Sequence, residues 1–331
     1  MPQQPKSLIL GIDLGGTKIL TAVINEKMEV IARDHSVTPA DKGPNDIIKA
    51  IWESAERCFT QTTLDVTAVD AISIGAPGPS SPETGILFTS PNLPNMQDVP
   101  LVDIFQKEFN KKVYLINDAN AAALAEFKFG AARGLRHIIY ITVSTGIGGG
   151  FIIDGQLYTG AIGTAAELGH MTINDQGPRC NCGNIGCWET LASGTALARE
   201  ARQKIRDGAQ TSILKHATGD IAAVDAKTVQ IAAQNGDGLA HELIARTGYY
   251  LGVGLANLLN MFNPEMIIIG GGVSNLGEMI LAPAYQTAKD RAYDVAYSAV
   301  QFASPKLDRN SGVLGAAAFA REKLQKAGIV P

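Results

Sequence analysis

One histidine and three cysteines in the middle of the chain have the residue types and the spacing of a metal site. His170, Cys180, Cys182 and Cys187 form the pattern His-x9-Cys-x-Cys-x4-Cys. Three thiolates and one imidazole complete the tetrahedral shell that zinc prefers, and a closed shell is typical of a structural ion. The polar segment 174–178 cannot build a core of its own, so a bound metal would fix it. The alternative is three free thiols that lie close together by chance.

Two glutamates flank this pattern. Glu167 lies three residues before His170, and Glu189 lies two residues after Cys187, so a metal-bound loop would hold both carboxylates close together. Carboxylates accept hydrogen bonds from sugar hydroxyls, and a site built for such bonds rejects analogues that lack the hydroxyl. These residues predict a polyol site beside the metal, with two solvated acids as the alternative.

Three glycine-rich segments have the composition of phosphate-binding turns. Segments 13–18 (Asp-Leu-Gly-Gly-Thr-Lys) and 144–150 (Ser-Thr-Gly-Ile-Gly-Gly-Gly) each stand between two apolar runs. Glycine lets the backbone approach a phosphate closely, and the N–H groups of such turns bind anions. Asp13 could hold Mg²⁺ through water. Segment 270–274 (Gly-Gly-Gly-Val-Ser) suits a flat adenosine group; hairpin turns and tight strand–helix packing are the alternatives.

Asn117 and Asp118 stand between a predicted strand and a predicted helix. An Asp at this position is a good helix N-cap. A carboxylate there could also act as a general base that takes a proton from an attacking hydroxyl during phosphoryl transfer. Neither a Gly-x-Gly-x-x-Gly segment that opens a helix nor a Gly-x4-Gly-Lys-Ser/Thr segment occurs, which disfavours a dinucleotide fold and a P-loop.

The elements that must position these residues follow from apolar patterning, which predicts an α/β protein. The strand–glycine turn–strand pattern of residues 7–24 recurs at 137–153, which indicates a duplicated α/β unit. Residues 270–274 should open a helix. The predicted strands are 7–13, 18–24, 29–37, 71–75, 113–117, 137–143, 151–153 and 266–269, and the predicted helices are 44–59, 119–129 with Asp118 as N-cap, 190–206, 239–262 and 312–326.

Composition restricts the class of protein. The 331 residues are 46% hydrophobic and 18% charged, which is typical of a folded globular chain. The net charge of −4 and the lack of a long basic run disfavour broad nucleic-acid binding. The N-terminal apolar run is interrupted by Asp13 and no run reaches membrane-spanning length, so we expect a cytoplasmic protein without a membrane anchor. Three of the four cysteines fall within eight positions, which favours metal binding over disulfides.

Together these motifs resemble the ROK (repressor, open reading frame, kinase) family, and within it the sugar kinases. The resemblance extends from Leu8 to Ala320 and follows the family's motif order. It is carried by segments 13–18, 117–121, 144–150, 167–170, 180–189 and 270–274.

The resemblance implies a two-lobed, actin-like ATPase fold of the hexokinase type, a duplicated ribonuclease H-like unit with ATP and sugar in the cleft. We expect an N-terminal lobe of residues 1–117 plus 310–331 and a C-terminal lobe of residues 118–309 that carries the zinc loop. The last helix should fold back onto the N-terminal lobe, and family members are usually homodimers and sometimes tetramers.

The resemblance also implies a site, with Asp118 as the catalytic base and with ATP, Mg²⁺ and a structural Zn²⁺ as cofactors. The implied metal ligands are the four residues of the first pattern. The implied sugar contacts are Gly78, Asn92, Asn117, Asp118, Glu167, His170 and Glu189. The implied nucleotide contacts are Asp13, Gly15, Gly16, Thr17, Lys18, Thr145, Gly146, Gly148, Gly271 and Gly272.

The expected activity is ATP-dependent phosphorylation of a hexose, with glucose converted to glucose 6-phosphate. N-acetylglucosamine, N-acetylmannosamine and fructose remain alternative acceptors, and polyphosphate an alternative donor, because relatives share the same motifs. Many glucokinases have Gly-Trp soon after the Pro-Asn-Leu-Pro segment, whereas this chain continues as Asn95-Met96-Gln97. A sugar-responsive transcriptional repressor is disfavoured, since its helix-turn-helix domain would precede a first phosphate motif that here starts at Asp13.

Overall fold

Strands and helices alternate along the chain, so the predicted α/β class is confirmed. This computed structural model describes residues 7–90, 92–307 and 310–330. Its strands form two five-stranded sheets, and the chain folds into two compact units. The first unit comprises Met1–Arg136, Gly150–Ala166 and Pro305–Pro331, and the second comprises His137–Gly149 and Glu167–Ser304.

The described residues form ten strands and eleven α-helices. The strands are β1 (Ile9–Leu14), β2 (Lys18–Ile24), β3 (Val30–Val37), β4 (Ala71–Ala76), β5 (Lys112–Asn117), β6 (Ile138–Val143), β7 (Ile147–Ile153), β8 (Gln156–Tyr158), β9 (Met266–Gly270) and β10 (Gln301–Ala303). The α-helices are α1 (Pro44–Thr60), α2 (Leu101–Phe109), α3 (Asp118–Phe129), α4 (Glu189–Ala192), α5 (Gly194–Arg206), α6 (Ile213–His216), α7 (Ala226–Gln234), α8 (Gly238–Phe262), α9 (Glu278–Arg291), α10 (Asp294–Ala299) and α11 (Ser311–Lys326).

The first sheet has the strand order β3-β2-β1-β4-β5. Strand β1 is antiparallel to β2 and parallel to β4, and β4 is parallel to β5. Strands β1 and β4 are almost wholly buried and apolar, as expected where helices cover both faces of parallel strands. The carboxyl ends of β1, β4 and β5 therefore meet at one edge, which is where α/β sheets bind ligands.

Helices α1 and α11 contribute buried residues to two separate apolar clusters of the first unit. Ile47, Ile51 and Ala55 of α1 belong to one cluster, and Val313 and Ala317 of α11 belong to the other. Small residues let α11 approach closely: a Cβ placed on Gly11 would lie 2.6 Å from the carbonyl oxygen of Val313. The last helix thus packs on the first sheet.

The second sheet has the order β10-β9-β6-β7-β8. Written in reverse, this order is β8-β7-β6-β9-β10. It is the order of the first sheet with five added to each strand number. Strand β6 is parallel to β9, β9 is parallel to β10, and β7 is antiparallel to β8. The predicted duplication is thus present as a repeated strand order.

The compact units differ from the predicted lobes of residues 1–117 plus 310–331 and 118–309. Helix α3 and residues up to Arg136 group with the first unit. The reason is the close packing of α3 on α11, where a Cβ on Gly315 would lie 1.8 Å from the carbonyl oxygen of Ala121.

Several predicted boundaries need correction. The N-cap of α3 is Asn117, whose Oδ1 accepts from Asn120 N at 3.0 Å, so the prediction of Asp118 as N-cap is wrong. The predicted helix 190–206 is broken at Ser193, which caps α5. The segment after β9 opens a 3-10 helix, Gly272–Leu276. None of the described helices combines the length and apolarity that crossing a bilayer requires.

Candidate functional site

The first glycine turn closes the hairpin between β1 and β2. The Gly15 N–H donates to the Lys18 carbonyl oxygen at 2.9 Å. A Cβ on Gly16 would lie 2.6 Å from Cβ of Asn92 and 3.1 Å from its backbone oxygen. Glycine at position 16 therefore allows the predicted phosphate turn to pack against the loop that carries a predicted sugar contact.

A pocket of about 190 Å³ lies at this turn. It contains four of the predicted nucleotide contacts and three residues, Leu20, His35 and Ser311, that were not predicted to contact the nucleotide. The β2–β3 register pairs His35 with Leu20, so a prediction of hairpin register would have placed this histidine near Lys18. The lining residues are Asp13, Gly15, Thr17, Lys18, Leu20, His35 and Ser311.

Two half-buried carboxyl groups of the first unit have raised pKa values. Burial first, and the charge of Asp118 second, raise the pKa of Asp13 to about 7, while Lys18 lowers it. Burial also raises the pKa of Asp118, although the Ala119 N–H, which donates to its Oδ1 at 2.8 Å, opposes the shift. Asp13 lies near the end of β1 and Asp118 follows β5, so the sheet edge brings together one predicted metal-binding acid and the predicted base.

Asn117 connects this edge to the segment after β4. Its Oδ1 caps α3, and its Nδ2 donates to the Gly78 carbonyl oxygen at 3.2 Å. Gly78 has φ of 99°, a conformation that favours glycine. The first unit thus holds Gly78, Asn117 and Asp118 as neighbours, and Asn92 beside the first turn.

The second glycine turn is shorter than predicted, because β7 already begins at Ile147. The turn is Ser144–Gly146, and the Ser144 N–H donates to the Gly146 carbonyl oxygen at 2.9 Å. Thr145 is exposed, whereas Gly148 is part of the strand rather than of the turn.

The third glycine segment lies beside the second, because β6 and β9 are parallel and end together. Gly271 has φ of 92°, and a Cβ there would lie 2.3 Å from the Val143 carbonyl oxygen. Gly272 is exposed. A Cβ placed on Gly272 would have one atom within 4 Å, which is Oγ of Ser144 at 3.8 Å. This edge of the second unit therefore offers exposed glycine backbone next to Ser144.

The four predicted metal ligands converge. Their ligand atoms all lie within 4.8 Å of one another. Nδ1 of His170 is 3.6 Å from Sγ of Cys180, and Sγ of Cys182 is 3.7 Å from Sγ of Cys187. A tetrahedral zinc with its usual bond lengths places two sulfurs about 3.8 Å apart and a sulfur and a nitrogen about 3.6 Å apart. The donor set and the spacing both fit zinc.

The backbone at Glu189 is anchored by the residue that precedes it. The preceding Trp188 is fully buried, its Nε1 donates to the Tyr250 carbonyl oxygen at 2.9 Å, and its ring lies over Gly254, where a Cβ would be 2.0 Å away. The side chain then reaches the second glycine turn, because its Oε2 accepts from Ile147 N at 2.9 Å.

The segment that carries Glu167 and His170 packs on the start of β7, directly after the same turn. Leu168–His170 forms a 3-10 helix, and Glu167 stands exposed just before it. A Cβ on Gly169 would lie 2.2 Å from the Ile147 carbonyl oxygen. The second unit thus brings both glutamates, the histidine and the second turn into one region.

The chain matches a family model described as the ROK family over residues 9–323. A glucokinase from Thermotoga maritima is 37% identical over 323 residues, which cover 97% of this chain and 99% of that protein. A xylose repressor from Caldicellulosiruptor bescii is 34% identical over 94% of this chain and 77% of the repressor. The crystal structure of a ROK family glucokinase from Streptomyces griseus, in complex with glucose and AMPPNP, is 33% identical, covers 96% of this chain and 100% of that chain, and has a TM-score of 0.81.

Proposed function

This chain belongs to the ROK family, and from that premise we propose that it is an ATP-dependent hexose kinase that converts glucose to glucose 6-phosphate. The fold supports the proposal, since the likeness to ROK glucokinase and hexokinase structures confirms the predicted actin-like fold class. The observation that carries it is the placement of Asp118 at the same sheet edge as Asp13 and the first glycine turn.

Asp118 acts as the general base. Burial raises the pKa of its carboxyl group, and a base is most effective when its pKa approaches the working pH. The carboxylate accepts the proton of the attacking hydroxyl, while Asn117 fixes the first turn of α3 and with it the position of Asp118.

In this proposal Asp13 would hold Mg²⁺ through water. Burial and the neighbouring carboxylate of Asp118 raise the pKa of Asp13, and only Lys18 lowers it. A divalent cation beside the two carboxylates would favour the ionised forms of both Asp13 and Asp118. Mg²⁺ bound to ATP supplies charge neutralisation during phosphoryl transfer. The first turn contributes backbone near a phosphate. For the other nucleotide contacts, which are the backbone of the second turn, Gly271 and Gly272, the family resemblance is the support.

The acceptor sugar is bound by the side chains that the family resemblance implies. The carboxylates of Glu167 and Glu189 accept hydrogen bonds from its hydroxyls. His170, Asn92, Asn117 and the Gly78 segment are the other implied contacts. Zinc would be structural: His170 would ligate it through Nδ1, the atom that lies 3.6 Å from Sγ of Cys180, and this would leave Nε2 for a hydroxyl. We further propose a homodimer, for which the family resemblance is the support.

A coupled assay with ATP and purified protein tests the activity. We expect phosphorylation of glucose, and the ranking of kcat/KM among glucose, mannose, fructose and the N-acetyl amino sugars identifies the acceptor. Absence of turnover with every one of these sugars overturns the proposal. A gel-shift with genomic fragments checks the repressor alternative that the xylose repressor relatives raise.

A further inference from the structure

We propose that Glu189 positions the second glycine turn, so that sugar and nucleotide binding are coupled through this one carboxylate. The inference rests on the proposed function, because it takes Glu189 as a sugar contact and residues 144–150 as part of the nucleotide site. It assigns to Glu189 a second task, which is to hold the backbone of that turn.

The contact between Glu189 and the turn is direct. Oε2 accepts a hydrogen bond from the Ile147 N–H at 2.9 Å. A Cβ placed on Gly146 would lie 2.0 Å from the same oxygen and 2.9 Å from the carboxyl carbon. The carboxylate therefore occupies the space that any side chain at position 146 would need, and glycine there is required by Glu189 as well as by a phosphate.

The backbone of Glu189 is fixed on both sides. Trp188 is buried and bonded to the Tyr250 carbonyl oxygen, and the Cys187 carbonyl oxygen accepts from Thr190 Oγ1 at 2.7 Å. Since Cys187 also belongs to the metal cluster, the carboxylate extends from an anchored segment. The turn is thus held by a side chain that extends from an anchored backbone.

The chemistry of a carboxylate permits both tasks at once. Its two oxygens have about four lone-pair sites, so one oxygen can hold the Ile147 N–H while the other accepts a sugar hydroxyl. A sugar that orders this side chain also orders the turn, and an ordered turn binds phosphate with less loss of entropy. Because coupling is reciprocal, nucleotide must strengthen sugar binding by the same factor.

The first test measures AMPPNP binding by calorimetry without sugar. A residue that only binds sugar leaves this affinity unchanged. Glu189→Ala should weaken it about 10-fold or more, the effect of losing one hydrogen bond to a charged group. Glu189→Gln keeps an acceptor oxygen and should stay within about 2-fold. Glu242→Ala, an exposed glutamate of α8 in the same unit, is the matched control.

The second test measures how a change in the turn affects sugar binding. Gly146→Ala displaces the carboxylate without removing it, so glucose affinity measured without nucleotide should fall about 5-fold. Gly238→Ala is the control, because nothing lies within 4 Å of a Cβ there. In a Glu189→Ala background, Gly146→Ala should add little to the loss of AMPPNP affinity, since its steric partner is gone.

Unchanged AMPPNP affinity in Glu189→Ala overturns the inference, and so does unchanged glucose affinity in Gly146→Ala. If Glu189→Ala does not fold, the Gly146→Ala measurement decides. Wild-type protein that phosphorylates no sugar refutes the proposed function instead, so the two failures are distinguishable.

Discussion

The two glycine turns differ in what packs against them. In the first unit Gly16 faces Asn92. A Cβ added to Gly16 would lie 2.6 Å from the Cβ of Asn92 and 3.1 Å from its backbone oxygen. In the second unit Gly146 faces the carboxylate end of Glu189. A Cβ and a backbone oxygen move only with their loop, whereas the end of a glutamate can change rotamer. The first turn should therefore tolerate less change than the second.

The surroundings of the two turns also differ in their chemistry. The first lies beside Asp13 and Asp118, whose pKa values are raised. The second lies beside Glu189 and the segment that carries Glu167 and His170, one of the four predicted metal ligands. Proton transfer should therefore depend on the first region, and recognition of hydroxyls on the second region.

The largest effect should come from Asp118→Asn. Loss of the proposed base should lower kcat about 10²- to 10⁴-fold, while glucose affinity, which depends on other residues as well, stays close to wild type. Steady-state kinetics and calorimetry separate the two quantities. Asp103→Asn on the exposed side of α2 is the control. A fully active Asp118→Asn enzyme would contradict the assignment of proton transfer to the first region.

Loss of the metal should act next most strongly, and on the second region. Purified protein should contain about one zinc per chain. Cys182→Ser should lose it and lower Tm by about 5 °C or more, because the polar loop has no core of its own.

Zinc content by mass spectrometry and a thermal melt check this prediction. Cys58→Ser, a cysteine outside the cluster, should retain the metal. Glucose affinity should fall more than AMPPNP affinity, and an active enzyme without zinc would contradict the structural role.

The steric contrast predicts an order for alanine substitutions. Gly16→Ala must displace the Asn92 loop and should lower kcat/KM about 10- to 100-fold, since small misplacements in an active site are costly. Gly146→Ala should cost less, because a side-chain end can shift. Gly43→Ala, with nothing within 4 Å of its Cβ, should match wild type in the same assay. A larger loss for Gly146→Ala than for Gly16→Ala would contradict the steric difference between the two turns.

The smallest effect concerns pH and the stability of the first unit. Asp13 has a pKa raised to about 7, so its neutral form stabilises the fold. That stabilisation is complete below the ordinary pKa of an aspartate and is lost as the pH rises through about 7. Asp13→Asn should therefore raise Tm of the ligand-free protein by about 2–5 °C at pH 8 and hardly at pH 4. An equal change at both pH values would contradict the assignment.

Local patterns were sufficient for much of the fold. The predicted strands 18–24 and 113–117 differ from β2 and β5 by at most one residue, because a continuous apolar run with clear ends leaves little choice. The prediction of the α3 cap was wrong, since Asn117 and Asp118 are both good caps and the strand pairing of β5 decides which one stands outside the helix. His35 was missed because its place in the pocket depends on strand register.

The sequence by itself determined the cluster of one histidine and three cysteines, the positions of the glycine turns and the repeated α/β unit, because each depends on residue types at short spacings. The tertiary structure decided which side chain each glycine faces. Gly16 meets Asn92, and Gly146 meets Glu189, across 76 and 43 residues of chain, respectively. Contacts at such separations depend on how whole elements pack, and no local pattern contains that information.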